Sequence, residues 1–350
     1  MVAILLAAGA AVGQTHAPWP ADWNNWNDPA LWVTVGNPGN VGEASGWGRD
    51  NGGPERICGS VAYAYNIGKY EVTAGQYTAF LNAVGGVDTY ALYNTDMTRA
   101  DWMGCGITRS GGGTEGDPYA YAVPPDLANR PVNYVSWGDA ARFANWLTNG
   151  KPKGVQGPGT TEAGVYSLNG AITDADLLAV AVPGAEQRGE WASSTKPYFL
   201  LTSEDEWYKA AYYDRATSSY FDYSTSSDTA PGSDMSDASG NNANHDDSGY
   251  TTVAGEFQNS DSPYGTFDQG GNVWEWNEAV IGSYRGLRGG GYGNGDPILS
   301  ASFRYSDVHF CQPANEDPGV GFRVSVVPDP TTLSLLALGG LAMIRRRGKK

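Results

Sequence analysis

The sequence predicts a single α+β domain with much irregular backbone. Three observations carry that reading. Short helical patterns recur, each opened by a Ser or Thr cap, but long Gly/Ser/Asp loops separate them. Forty-eight glycines, 21 tyrosines and 12 tryptophans accompany only 17% charged residues, a composition unlike a coiled coil or a charged disordered chain. No fixed-period repeat and no linker divides the 350 residues into separate cores.

The elements follow in order. Residues 1–17, "MVAILLAAGAAVGQTHA", read as an apolar segment and a small-residue cleavage region, with cleavage after Ala17. They lack a basic start, which leaves Met1 open as an internal residue of a longer signal. "PWPADWNNWNDPALWVTVGNPGN" is turn-rich and leads into a strand. "YAYNIGKYEV" (Tyr63 to Val72) alternates as a strand does. "TAGQYTAFLNAV" opens on Thr73 as a helix cap and puts Tyr77, Phe80, Leu81 and Val84 on one apolar face. "SWGDAARFANWL" repeats the device, with Ser136 as cap, Asp139 three residues on, and Phe143, Trp146 and Leu147 facing inward. "SEDEWYKAAYY" is a third case, with Ser203 and Glu206 as a capping box. A long loop then runs from Ser218 to Ser262.

Two stretches stand out for chemistry. In "FDQGGNVWEWNEAV" (Phe267 to Val280) alternation from Asn272 puts Trp274 and Trp276 on one strand face, toward a core. Glu275 falls on the other face, near Asp268, where a buried carboxylate needs a cation or hydrogen-bond donors. In "RGGGYGNGDPILSASFRY" (Arg288 to Tyr305) a glycine loop raises the possibility of phosphate binding. No G-x-G-x-x-G or G-x-x-x-x-G-K-[ST] pattern fits it, and no lysine lies nearby. A net charge of -16 argues against a nucleic-acid partner, since phosphate backbones require clustered Lys and Arg, whereas acidic loops suit calcium. His245 and His309 are the histidines left after signal removal, too few for HExxH or a three-histidine iron site, and G-x-S-x-G is absent. A glycosidase-type acid/base pair is defined by carboxylate separation, which sequence does not reveal. Cys58, Cys105 and Cys311 allow at most one bridge; Cys58 with Cys105 is one option.

Taken together, "IGKYEVTAGQYTAFLNAV", "PVNYVSWGDAARFANWL", "YFLLTSEDEWYKAAYY", "YGTFDQGGNVWEW", "LRGGGY" and "VGFRV" occur in the order found in the formylglycine-generating enzymes. The chain resembles that family, also called sulfatase-modifying factors, over residues 32–326. The resemblance implies a C-type-lectin-like fold and calcium at two loops. At the first, Asp268 and Glu275 would bind by side chain and Gly271 and Val273 by carbonyl. At the second, Asn244 and Asp247 would serve with the carbonyls of His245 and Tyr250, unless Asp246 replaces Asp247 or the cluster only solvates a turn. Active members carry two cysteines after the glycine loop, whose thiolates hold copper(I), a soft ion. Here Asn294 falls near the first position and Leu299 or Ser300 near the second, so copper(I) lacks its ligands.

The expected function is therefore a binding or structural module using the old groove, edged by Tyr292, Asn294, Arg304 and Tyr305, to hold a peptide or polysaccharide. The alternative is an enzyme, generating formylglycine by another route or acting on another substrate. Residues 327–350 contain "VPDP", the apolar run "TLSLLALGGLAMI" and a basic tail. They resemble the PEP-CTERM signal that exosortase-type sorting machinery processes, with Asp329 where that motif usually has Glu. An ordinary short anchor is the other reading. Both place the domain outside the cytoplasm, with the membrane touched only through this segment.

Overall fold

The structure, a computed structural model, describes residues 24–45, 56–99, 103–235, 240–246, 248–305 and 310–328. The expected signal at 1–17, residues 329–350 of the expected sorting segment, Asp247 and His309 lie outside these residues. No helix among the described residues is long and apolar enough to cross a membrane.

The elements that carry the architecture are β1 (Trp32–Val35), β2 (Tyr65–Gly68), α1 (Ala74–Val84), α2 (Trp137–Thr148), β3 (Tyr198–Leu201), α3 (Glu204–Tyr212), β4 (Trp274–Ile281), β5 (Tyr284–Arg288), β6 (Val320–Phe322) and β7 (Val324–Val327). Short hairpins, two further short helices (Asp174–Ala179 and Ala185–Trp191) and loops fill the spaces between them. The helices α1, α2 and α3 start as their capping boxes require. Thr73, Ser136 and Ser203 each accept the amide of the third helical residue, and Gln76, Asp139 and Glu206 each return a bond to the cap amide.

Four strands form an antiparallel sheet in the order β1-β2-β7-β3, with Trp32 opposite Gly68 and Val326 opposite Phe199. A second sheet runs β5-β4-β6, with β4 antiparallel to β5 and parallel to β6. The segment "VGFRV" feeds both sheets. Phe322 ends β6, Val324 begins β7, and Arg323 is the residue at the crossing.

The core gathers around Phe143 on α2. Its ring lies 5.2 Å from that of Phe80, 5.4 Å from Phe322, 5.6 Å from Trp26 and 6.1 Å from Tyr77. Tyr77, Phe80, Leu81 and Val84 on α1 are buried as their spacing predicts. Helix α2 departs from expectation: it is buried on every side rather than on one face. Its polar residues are satisfied from the loop beyond it. Arg142 Nε donates to Glu162 Oε1 at 2.7 Å, and the Asn145 amide donates to the carbonyls of Thr161 and Tyr166. Strand β4 begins at Trp274, two residues later than the alternation predicts, because Asn272 adopts a left-handed φ of 60°. Trp274 and Trp276 do enter the core.

Candidate functional site

Strand β5 ends at Arg288 and the chain turns through Gly289 and Gly290, at φ of 101° and 77°. A Cβ on Gly289 would stand 2.8 Å from the Gln269 carbonyl oxygen, so this turn requires glycine. The next residues close on themselves: the Gly291 amide donates to Asn294 Oδ1 and the Asn294 amide to the Gly291 carbonyl, both at 2.9 Å. The loop is also clamped from outside. Tyr292 N donates to Asn272 O at 2.9 Å, and Asp246 N donates to Asn294 O at 2.8 Å.

A cavity of about 190 Å³ opens beside this turn, lined by Trp274, Tyr292, Asn294, Tyr305, Phe310 and Asp317 among others. The structure thus brings together Tyr292, Asn294 and Tyr305 as the sequence predicts. Arg304 is a correction. It points away from the groove, is buried, and places Nε 2.8 Å from Glu204 Oε1. Successive residues of an extended segment face opposite sides. Tyr305 bridges to Leu287 and packs its ring 4.6 Å from Trp274, which turns Arg304 the other way. There Arg304 joins Arg288, whose Nη2 lies 2.8 Å from Glu204 Oε1, and Arg56, 3.2 Å from Oε2. The three guanidiniums hold the Glu204 carboxyl below the usual range despite its burial.

Neither position implied for a copper-binding thiolate offers a soft donor. Asn294 uses its amide oxygen to close the turn, Leu299 is buried, and the Ser300 hydroxyl donates to Pro297 O at 2.9 Å. The three cysteines are buried and none is bridged, so the pairing of Cys58 with Cys105 does not occur. Burial pushes the thiols of Cys58 and Cys105 up to about 11, keeping them protonated. A larger cleft of about 790 Å³ borders the Asp296–Leu299 turn, with Asp222, Tyr223, Asp228, Ser300 and Phe303 in its walls. Sequence reasoning did not find it, since it unites segments some seventy residues apart.

The two acidic loops meet directly. Gly271 has a φ of 91°, and a Cβ there would stand 2.5 Å from Asn244 O. Asn272 ties the loops together: its backbone N–H donates to the Asn244 carbonyl at 2.8 Å, and its Oδ1 accepts from Asn244 Nδ2 at 3.0 Å.

 Asn244 Nδ2 also donates to the Tyr250 carbonyl at 3.0 Å, which brings those two predicted residues together. The His245 ring is buried with Nε2 between the carbonyls of Pro231 and Gly232, at 3.1 and 3.2 Å.

In the first loop, Glu275 is buried and bound by Arg323: Nη2 donates to Oε1 and Nε to Oε2, each at 2.6 Å, while Trp207 Nε1 donates to Oε2 at 2.7 Å. Asp268 accepts the Gly255 amide and has a φ of 61°. Burial pushes its carboxyl up to about 6, against the pull of the Gly255 amide and Arg323. Glu71 joins these residues and was missed by sequence reasoning. Its Oε1 accepts from Asn272 Nδ2 at 3.1 Å, and its Oε2 has no hydrogen-bond partner among the described residues. Burial raises the Glu71 carboxyl well above its ordinary range, and nearby Asp268 raises it further. The one signal in the sequence was a carboxylate inside an otherwise β-like run, just before the Thr73 cap. Among the described residues no three His, Cys, Asp or Glu side chains form a metal-binding group, so a cation here would draw on carbonyl and amide oxygens as well.

Residues 34–327 match the family profile described as the Sulfatase-modifying factor enzyme 1-like domain. Among solved structures, the chain is similar to Treponema denticola variable protein 1 at 20% identity, with a TM-score of 0.51 over 85% of this chain and 95% of that one. It is also similar to CarF, at 18% identity and a TM-score of 0.47 over 85% of this chain and 98% of CarF. PvdO from Pseudomonas aeruginosa gives 18% identity and a TM-score of 0.46 over 85% and 94%. At such identities the likeness concerns fold alone. No curated protein matches the chain.

Proposed function

The chain belongs to the sulfatase-modifying factor enzyme 1-like family, and from that premise we propose that it is an exported, calcium-braced binding module without the family's copper chemistry. The observation that carries the reading is Asn294. Where the family resemblance puts the first copper-binding thiolate, this side chain accepts the Gly291 amide and closes its own turn. An amide oxygen does not replace a thiolate for copper(I).

The groove beside that turn is the ligand site. Tyr292, Tyr305, Trp274 and Phe310 supply aromatic surface, while Asn294 and Asp317 supply polar groups. Such a surface suits a peptide or polysaccharide, which presents apolar faces together with hydrogen-bonding groups. Calcium braces the groove from behind, through the side chains of Asp268 and Glu275 and the carbonyls of Gly271 and Val273 at one loop. At the other, Asn244 and Asp247 act with the carbonyls of His245 and Tyr250. The contacts from Asn272 to Tyr292 and from Asp246 to Asn294 support this role, because they fasten both loops to the groove. The "VPDP" motif, the apolar run and the basic tail support delivery to the cell envelope by exosortase-type sorting machinery.

The test is turnover. Folded, calcium-loaded protein supplied with copper(I) and oxygen is offered a Cys-x-Pro-x-Arg peptide, and mass spectrometry follows conversion of its cysteine to the aldehyde. The expected result is no conversion. Conversion would overturn the binding-module reading and establish an enzyme.

A further inference from the structure

The groove beside the Gly289–Gly290 turn has aromatic walls set at steep angles to one another. The ring of Tyr305 lies 4.6 Å from that of Trp274 at 47° and 5.9 Å from that of Phe310 at 72°. Rings inclined in this way make a corner rather than a flat stack, and Tyr292 adds a fourth aromatic side chain to the lining. The backbone behind them is fixed. The Tyr305 amide donates to the Leu287 carbonyl at 3.3 Å, and the Tyr292 amide to the Asn272 carbonyl at 2.9 Å. Phe310 stands at the exposed rim.

One carboxylate shares the lining with these rings. Asp317 Oδ1 accepts the Gly319 amide at 2.9 Å, and among the described residues no Lys or Arg forms an ion pair with Asp317. None lines the groove either, since Arg304 is turned to Glu204. Burial raises the Asp317 carboxyl above its ordinary range, against the pull of the Gly319 amide, and no basic side chain helps to lower it. Aromatic ring faces attract cations, and a partly buried carboxylate is stabilised by one. The groove is therefore complementary to a positive charge that the protein itself does not supply.

The kind of cation follows from the hydrogen bonds. A primary ammonium brings three donors and a guanidinium five. Two acceptors of the groove are already engaged, Asn294 Oδ1 by the Gly291 amide and Asp317 Oδ1 by the Gly319 amide. A quaternary ammonium donates no hydrogen bond and so leaves none unsatisfied. The cavity of about 190 Å³ is smaller than the roughly 300–1,000 Å³ of pockets that enclose a drug-sized ligand, which suits a single head group. A phosphocholine head group would bring a phosphate that meets no Lys or Arg in this lining. We propose that the groove receives the trimethylated ammonium of a peptide side chain, held by the ring faces of Trp274, Tyr305 and Phe310 and by the charge of Asp317. This inference rests on the binding-module reading above and names the ligand class of its groove.

Isothermal titration calorimetry of the full chain tests the assignment, with acetyl-capped trimethyllysine amide as the probe. Saturable binding is expected, and the unmethylated lysine amide and the uncharged carbon isostere of trimethyllysine should each bind at least about tenfold more weakly. Asp317→Asn keeps an oxygen for the Gly319 amide and should reduce the preference for the charged probe over its isostere. Phe310→Ala, at the exposed rim, should weaken the charged probe by about threefold or more. Circular dichroism checks that both variants fold; should Phe310→Ala fail to, Asp317→Asn decides. Equal binding of the uncharged isostere, or undiminished binding of the charged probe by the folded variants, would overturn the inference. Phosphocholine binding more tightly than the trimethyllysine probe would also overturn it and assign the groove to a phosphorylated head group. Absence of saturable binding by the unaltered protein would overturn this inference alone, since the module reading falls instead on conversion of the Cys-x-Pro-x-Arg peptide.

Discussion

Arg323 donates from Nε and Nη2 to the two carboxylate oxygens of Glu275, each at 2.6 Å, at the single residue where the chain passes from β6 to β7. One ion pair therefore sits where both sheets meet. Removing one partner leaves the other buried and uncompensated. Arg323→Met is expected to destabilise the protein by about 3–5 kcal/mol, measured by urea denaturation. The double variant Arg323→Met/Glu275→Gln should recover part of that loss, and strict additivity of the two single effects would show that the residues are not coupled.

Gly271 lies where the two acidic loops touch, with a φ of 91° and no room for a Cβ. Gly271→Ala is expected to cost roughly 1–3 kcal/mol through backbone strain and the clash with Asn244 O. Denaturation midpoints measure it, and an alanine variant as stable as the original would refute the close approach.

Phe143 packs against rings from α1, α2 and β6 and from the N-terminal Trp26. Phe143→Ala should lose about 3–5 kcal/mol. Loss of near-ultraviolet circular dichroism at lower denaturant concentration is the readout.

The carboxyl of Glu316 is pushed up to about 8, first by burial and then by the neighbouring Asp139, with Asp88 adding to the effect and the Asn94 amide opposing it. Asp139 is itself raised to about 6 by burial, against the pull of Ser136 and Arg142. Raised carboxyl values mean that the folded protein holds protons which the unfolded chain gives up near its ordinary value of ~4.3. This contribution is fully present below that value and is lost as pH rises through about 8. Melting temperatures between pH 5 and 9 should show the decline, and Glu316→Gln should flatten it.

Much of the fold was legible because its signals are local. The caps at Thr73, Ser136 and Ser203 need only a partner three residues away, and α1, α2 and α3 begin there. The tryptophans of β4 announced their core face by alternation. The site was less legible because its decisive contacts are distant in sequence. Arg304 meets Glu204 across a hundred residues, and Glu71 meets Asn272 across two hundred and one. Nothing near Arg304 in sequence says which side of the extended segment faces the groove. Nothing near Glu71 says that one of its oxygens would find no donor. The burial of all of α2 was likewise hidden, since Glu162 lies in a loop without periodicity.

Strand β7 stands between β2 and β3 and pairs with both, although those strands lie more than a hundred residues apart and upstream. A ribosome-bound chain that has not yet reached Val324 has no central strand for this sheet, and β2 and β3 have nothing between them to pair with. Completion of the sheet is thus postponed until Val324–Val327 has been made, well over a hundred residues after β3, as expected when long-range pairings must wait for loop closure. Until then the nascent polypeptide offers unpaired strand edges to whatever chaperone or channel receives it.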